Sequence, residues 1–235
     1  MSGGIGCDCW FLTGPTASGK TSVAVELAQQ IGAEIVSLDS MAVYRGMDLG
    51  TAKPSPEDRR RVAHHLIDVV DSWEDYSLAR YLEDAAKCIR DIRGRGHEVL
   101  FVGGTPLYLK AVLRGVFRGP AADWQLRQRL QEEAVRQGPG YLHRRLSEID
   151  PAAAKRLHPH DTRRLIRALE VFEKTGRPIS ELQQEFQLGR PAEACRVFVL
   201  DWPREVLYAR IDARVEAMFS AGLVEEVRHL TAGSR

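Results

Sequence analysis

Eight consecutive residues, Gly14-Pro15-Thr16-Ala17-Ser18-Gly19-Lys20-Thr21, combine the groups that hold a phosphate. Glycines let backbone N–H groups turn inward and approach phosphate oxygens closely. Lys20 adds a compact positive charge. The Thr21 hydroxyl suits Mg²⁺, the hard cation that bridges phosphates. The pattern G-x-x-x-x-G-K-T also stands in the right context, between an apolar run, Cys9 to Thr13, and a helical pattern ending at Gly32. The positive end of that helix points at the same anion. The loop by itself does not separate a nucleoside triphosphate from another diphosphate.

Nucleotide hydrolases with such a loop carry a second strand that ends in an acid serving Mg²⁺. Here "EVLFV" runs into Gly103-Gly104-Thr105, with no acid. The acid stands instead at Asp39, on the end of "AEIVSLDS". A carboxylate at the carboxyl end of a strand lies beside the crevice where open α/β sheets bind ligands. It can hold Mg²⁺, take a proton from a nucleophile, or merely cap the following turn with Ser40.

These groups need a scaffold, and the hydrophobic periodicity supplies one. Apolar runs at Cys9–Thr13, in "AEIVSLDS", in "HHLIDVV" and in "HEVLFVGGT" read as strands. Between them lie helical patterns: Val23, Leu27 and Ile31 recur at helical spacing, and Ser77 N-caps a long helix with Gly94 beyond its end. "PLYLKAVLRG" opens another helix. From residue 112 to 191 the periodicity is helical throughout, broken by Gly and Pro. "CRVFVLDWP" and "REVLYARIDARVEAMFSAG" then restore a strand and a helix. The expected fold class is α/β: a P-loop parallel-sheet core, residues 1–111 and 192–235, interrupted by an all-helical insertion, residues 112–191. Charge divides the same way. The insertion holds 15 Lys/Arg against 10 Asp/Glu, and the remainder 18 against 22, within a chain of formal net charge +1. A basic helical module on an acidic core suits a polyanionic partner or a solvated helix face.

Other residues tempt and yield little. Cys7, Cys9, Cys88 and Cys195 form no C-x-x-C pair, and Cys7 with Cys9 lacks a cluster to complete a metal site. They read as reduced thiols of a cytoplasmic protein. No signal peptide and no membrane-spanning run is evident, so no membrane partner is expected. His64 and His65 point to opposite faces of a strand and read as packing and hydrogen-bonding residues. Leu165, Leu169 and Phe172 follow helical spacing as core. Trp124 opens a basic helix, where it either stacks on a base or, as the favoured reading, is buried.

The motifs "GPTASGKT", "DSMAVYRGMDLGTAKP", "HHLIDV", "YSLARY", "VGGTPLYLKA", "RRLIRALEVFEKTG" and "MFSAGLVEEV" occur in that order. The chain thereby resembles the tRNA dimethylallyltransferases, or isopentenyl-tRNA transferases, from residue 11 to about residue 230. The resemblance implies transfer of the dimethylallyl group from dimethylallyl diphosphate to N6 of the adenosine just 3′ of the tRNA anticodon. It makes residues 14 to 21 a diphosphate cradle, with Lys20, Thr21 and Mg²⁺ neutralising the leaving group. Asp39 becomes the general base, and the adenosine must be flipped out to reach it. Ser40, Met41 and Ala42 fall in the strip that meets tRNA, and Thr105 lies near the flipped base. Arg127 and the stretch Arg163, Arg164, Leu165, Ile166 and Arg167 fall at tRNA contacts. Arg163 and Arg167, at i and i+4, lie on one helix face that Glu170 and Lys174 continue. Arg214 is the expected second cation on the diphosphate, with Arg210 its competitor. On the resemblance the chain is a C-terminally truncated member, and a monomer is the default expectation. Pro106 departs from the family pattern and removes an N–H.

Two rival readings stay open on the residues. One is a small-molecule kinase of the nucleoside-monophosphate type, which shares the loop, the core and an inserted lid. The other is a catalytically idle RNA-binding module that keeps the loop as scaffold.

Overall fold

The computed structural model describes residues 4–6, 8–115, 119–183 and 195–232. It divides into two compact units, Met1–Gly115 with Gly189–Arg235, and Val116–Leu188.

The first unit is a parallel sheet with helices. Strands β1 (Trp10–Thr13), β2 (Ala33–Ser37), β3 (His64–His65), β4 (Glu98–Val102) and β5 (Arg196–Val199) lie in the order β3-β2-β4-β1-β5. Every pairing is parallel. All five residues of β2 are buried, as expected of a strand covered on both faces. Helix α1 (Lys20–Ile31) packs on one face, α3 (Leu78–Gly94) and α4 (Pro106–Arg114) on the other; the short α2 (Pro56–Arg61) precedes β3. Phe11 and Phe101 stack across β1 and β4 with centroids 5.1 Å apart.

Several local expectations need correction. Helix α1 buries Ala24, Val25 and Ala28, while Val23 is 42% exposed. Leu27 and Ile31 are half-buried and pack against the same cluster, so of the expected stripe only Val23 turns outward. The third strand is only His64–His65, because Leu66 and Asp68 take positive φ and turn the chain away. Gly94 is the last residue of α3 and Arg95 its cap. Pro106 costs no hydrogen bond: it stands in the first turn of α4, where the N–H has no partner in the helix. The two histidines act as hydrogen-bonding residues. His64 Nδ1 meets Val62 O, and His65 Nε2 meets Glu34. Cys9 is buried and its Sγ accepts from Arg93; Cys7 lies outside the described residues.

The second unit is helical: α5 (Trp124–Gln137), α6 (Tyr141–Ile149), α7 (Pro151–Arg156), α8 (Thr162–Thr175) and α9 (Ile179–Leu182). Leu130, Leu142, Leu146, Leu165, Ile166 and Leu169 make its core. Phe172, expected there, is only half-buried. Glu170 is not on a solvated stripe. It is fully buried on α8 and accepts from Arg127 Nε and Nη2, from Arg167 Nη1 and from Asp123 N.

Burial alone would raise the Glu170 pKa. The Arg127, Asp123 and Arg167 hydrogen bonds outweigh it and hold the group at about 2. Glu34, bound by Arg95, His65 and His97, is likewise lowered to about 2. A depressed carboxylate contributes stability above its unfolded pKa and loses it as pH falls through the folded value. The urea midpoint should therefore drop between about pH 4.5 and about pH 2. Glu170→Gln should cost roughly 3 kcal/mol at neutral pH and flatten that decline.

Candidate active site

The sheet order places three strand ends side by side, since β4 pairs with both β1 and β2. The phosphate loop leaves β1, Asp39 follows β2, and Gly103-Gly104-Thr105 follow β4.

The loop is a wound backbone cradle. Gly14 has φ 149°, and a Cβ there would sit 2.5 Å from Leu200 O. Ala17 takes φ 59°, a left-handed conformation that costs an alanine about 1 kcal/mol. Such strain at a ligand loop is held by its surroundings: Arg210 Nε donates to Ala17 O at 2.8 Å. Helix α1 starts at Lys20 with no side-chain cap, so its first amides are left for an anion. Lys20 Nζ donates to Gly14 O and Pro15 O at 3.0 and 2.7 Å. The buried Ser18 Oγ has no hydrogen-bond partner among the described residues.

Beyond β4, Gly103 presses on the neighbouring strand end. A Cβ there would lie 2.4 Å from the Leu38 carbonyl. Thr105 N donates to Leu38 O, and Thr105 Oγ1 accepts from Ser40 N at 3.2 Å. The two strand ends are thus stitched together. Asp39 Oδ1 accepts from Met41 N at 2.8 Å and Ala42 N at 3.3 Å. One carboxylate oxygen caps the turn, while Oδ2 has no hydrogen-bond partner among the described residues. Capping and proton acceptance are compatible, one oxygen to each.

Helix α10 (Arg204–Ser220) closes the loop from the other side. Arg214 Nη1 donates to Thr16 Oγ1 at 2.8 Å. Both rival arginines therefore reach the cradle, Arg214 through a side chain and Arg210 through a carbonyl. Trp202 belongs to no sequence motif. Its Nε1 donates to Ser18 O at 2.9 Å and its ring carries the Arg210 guanidinium at 4.8 Å. A tryptophan at the end of a strand run gave no motif; only the fold brings it to the loop. The Lys20 pKa is lowered, first by burial and then by Arg214, against the pull of Asp39. Cradle, arginines, Asp39, Met41 and Thr105 line one cleft of about 1080 Å³ within this unit.

The IPP transferase family model matches residues 42–235, and the isopentenyl transferase model residues 7–69. The chain belongs to the IPP transferase family. It is 50% identical over 220 residues to a tRNA dimethylallyltransferase of Geobacter metallireducens, covering 94% of this chain and 71% of that protein. A Thermotoga maritima tRNA dimethylallyltransferase is 48% identical, with 92% and 70% covered. A full-length tRNA isopentenylpyrophosphate transferase from Bacillus halodurans superposes with TM-score 0.60 at 37% identity, over 96% of this chain and 70% of that one. A eukaryotic dimethylallyltransferase captured acting on tRNA gives TM-score 0.74 at 28% identity, over 95% and 56%.

The helical unit sorts the remaining family positions by exposure. Arg163 and Arg164 are exposed, and Arg164 pairs with Asp161 at 3.1 Å. Leu165 and Ile166 are buried in the helical core, so their side chains are not available to tRNA; helical periodicity turns them inward. Arg167 does not share the exposure of Arg163: it is anchored on Glu170, as is Arg127, and it also donates to Pro120 O. Trp124 is 64% exposed, not buried, with the Arg127 guanidinium 5.1 Å from its ring.

The Gly103–Leu38 contact makes a direct prediction. Gly103→Ala forces two strand ends apart and should cost about 1–3 kcal/mol or more in urea unfolding. Gly104→Ala, whose added Cβ would meet Gly14 O at 3.3 Å, should cost less.

Proposed function

We propose that this chain transfers the dimethylallyl group of dimethylallyl diphosphate to N6 of the adenosine 3′-adjacent to the tRNA anticodon, releasing diphosphate. The carrying observation is that a phosphate cradle and an aspartate, one of whose oxygens has no hydrogen-bond partner among the described residues, face the same cleft. The acid follows β2, and glycines follow β4. That layout suits a proton acceptor opposite a leaving diphosphate.

Each group has a task. The amides of residues 16 to 21, Lys20 and Arg214 take up the charge that gathers on the departing diphosphate. The allylic C–O bond breaks with its electron pair leaving on the phosphate oxygen, and N6 forms the new bond to that carbon. Asp39 Oδ2 accepts the proton that N6 sheds. Burial and Arg214 lower the Lys20 pKa, and the negative charge of a bound diphosphate would act in the opposite direction. Thr105, tied to Ser40, sets the wall on which the flipped adenine rests.

A magnesium ion fits this site in one form. Among the described residues no group of three or more His, Cys, Asp or Glu could hold a metal. Thr21 offers a single hard oxygen, and Ser18 Oγ is a buried hydroxyl in need of a partner. These suit Mg²⁺ brought in on the substrate's phosphates and completed by water, not an all-protein cage. Bound there, it would neutralise diphosphate charge. Arg163 and Arg164 on the helical unit are exposed and available to phosphates of an RNA; Arg127 and Arg167 contribute as an anchored pair. No helix among the described residues is long and apolar enough to cross a membrane.

Incubation with tRNA and labelled dimethylallyl diphosphate should place label on adenosine. Asp39→Ala should abolish transfer while tRNA still binds, and Lys20→Ala should weaken diphosphate binding. Stronger thermal protection by Mg-ATP than by dimethylallyl diphosphate would replace this reading with the kinase one. Arg163→Ala should weaken tRNA binding and reduce the slope of log K against log salt by about one unit.

A further inference from the structure

Helix α11 (Leu223–Ala232) carries one side chain that reaches far back along the chain. The Glu226 carboxylate accepts from three consecutive backbone amides. Oε2 takes Asp48 N at 2.9 Å and Leu49 N at 2.7 Å, and Oε1 takes Gly50 N at 3.1 Å. Three successive N–H groups turned inward make a nest, a concavity that attracts an anion. Here the protein supplies the anion itself, from 176 to 178 positions away. Charge-assisted bonds of this kind are about twice as strong as neutral ones.

What the nest belongs to gives the contact its meaning. Residues 39–54 form one strip that begins with the Asp39 turn and lines the cleft through Asp48 and Leu49. The inner side of the strip is held by Lys53, whose side chain is 3% exposed. Its ammonium binds Asp48 Oδ1 at 2.7 Å, Asp68 Oδ1 at 2.5 Å and Tyr44 O at 2.6 Å. The Asp48 side chain is therefore fixed from within and its amide from α11. Leu223, one turn before Glu226, comes within 3.3 Å of where a Gly50 Cβ would stand, so the strip lies directly on the helix.

The same helical hairpin holds the other wall. Helix α10 places Arg210 and Arg214 on the phosphate loop, and only Ala221 and Gly222, the latter at φ 100°, separate it from α11. We infer that Glu226 is a positioning residue: its carboxylate latches the Asp39-bearing strip to the helical hairpin whose arginines hold the diphosphate, and so fixes the distance between base and leaving group. This rests on the transfer reaction proposed above. Reactions of this type are sensitive to such placement, since a displacement of about 1 Å can cost about a hundredfold in rate.

The test uses the whole chain. Glu226→Ala and Glu226→Gln are compared with the unaltered protein in two arms, each with and without added formate. The first arm is hydrogen exchange at amides 48–50. The second is kcat and KM for transfer from labelled dimethylallyl diphosphate to tRNA. In Glu226→Ala, exchange at those amides should rise at least about tenfold while amides of β1 and β4 stay protected. The kcat should fall by up to about a hundredfold, with KM for the diphosphate within about twofold, because the cradle itself is untouched. Formate, entering the vacated nest, should restore part of both the protection and kcat. Glu226→Gln keeps one acceptor oxygen and should fall between the two, and it carries the test if the alanine variant does not fold. Unchanged exchange, an unchanged kcat, or a kcat lost without any recovery in formate overturns the latch. If the unaltered chain transfers no label, the functional reading fails separately, and the exchange arm still decides whether the carboxylate holds the strip.

Discussion

A leaving diphosphate and a proton acceptor can serve one carbon only if the strands that deliver them are held at a fixed spacing. In the proposed reaction β4 does that, lying between β1, which leads into the phosphate loop, and β2, which leads to Asp39. Its own end contributes almost no side chain. Gly103 lets the backbone press on Leu38, and Thr105 bonds backward to Leu38 O and Ser40 N. Parallel sheets gather the carboxyl ends of their strands on one edge, which is why loops there become binding sites. The absence of an acid after β4 is then part of the same constraint, because a bulky or charged residue at position 103 would separate the two ends.

In both units the protein repeatedly satisfies one charged group with several partners. Lys20 is shared between two loop carbonyls, Lys53 between two carboxylates and a carbonyl, and Glu170 between two arginines and an amide. Buried charges are costly unless fully paired, and paired ones hold geometry firmly. The helical unit illustrates the consequence. Glu170 converts Arg127 and Arg167 from flexible cations into a fixed pair beside the exposed ring of Trp124. A fixed pair loses less conformational freedom on meeting an anion than two free side chains would.

Much of this was legible in the residues. The cradle is a contiguous motif whose parts act through local backbone geometry, so eight letters suffice to specify it. The α/β alternation and the helical stretch follow from hydrophobic period, a local property. Asp39 was visible as an acid at a strand end, and family motifs added its partner groups. Membership of the IPP transferase family follows from whole-chain similarity to its curated relatives.

Tertiary structure decided what depends on approach between distant segments. Strand order is set by pairing, not by sequence order, and so is the meeting of loops 14–21, 39–42 and 103–105. Exposure is likewise a property of the folded surface. It turned Trp124 outward, Glu170 inward and Ile166 into the core, although the spacing of all three is plain in the chain. Trp202 beneath the loop and Glu226 in its nest of amides could not be read from any window, because each meets its partner more than 170 positions away. Local patterns encode local geometry; hydrogen bonds across that separation exist only once the sheet has brought their ends together.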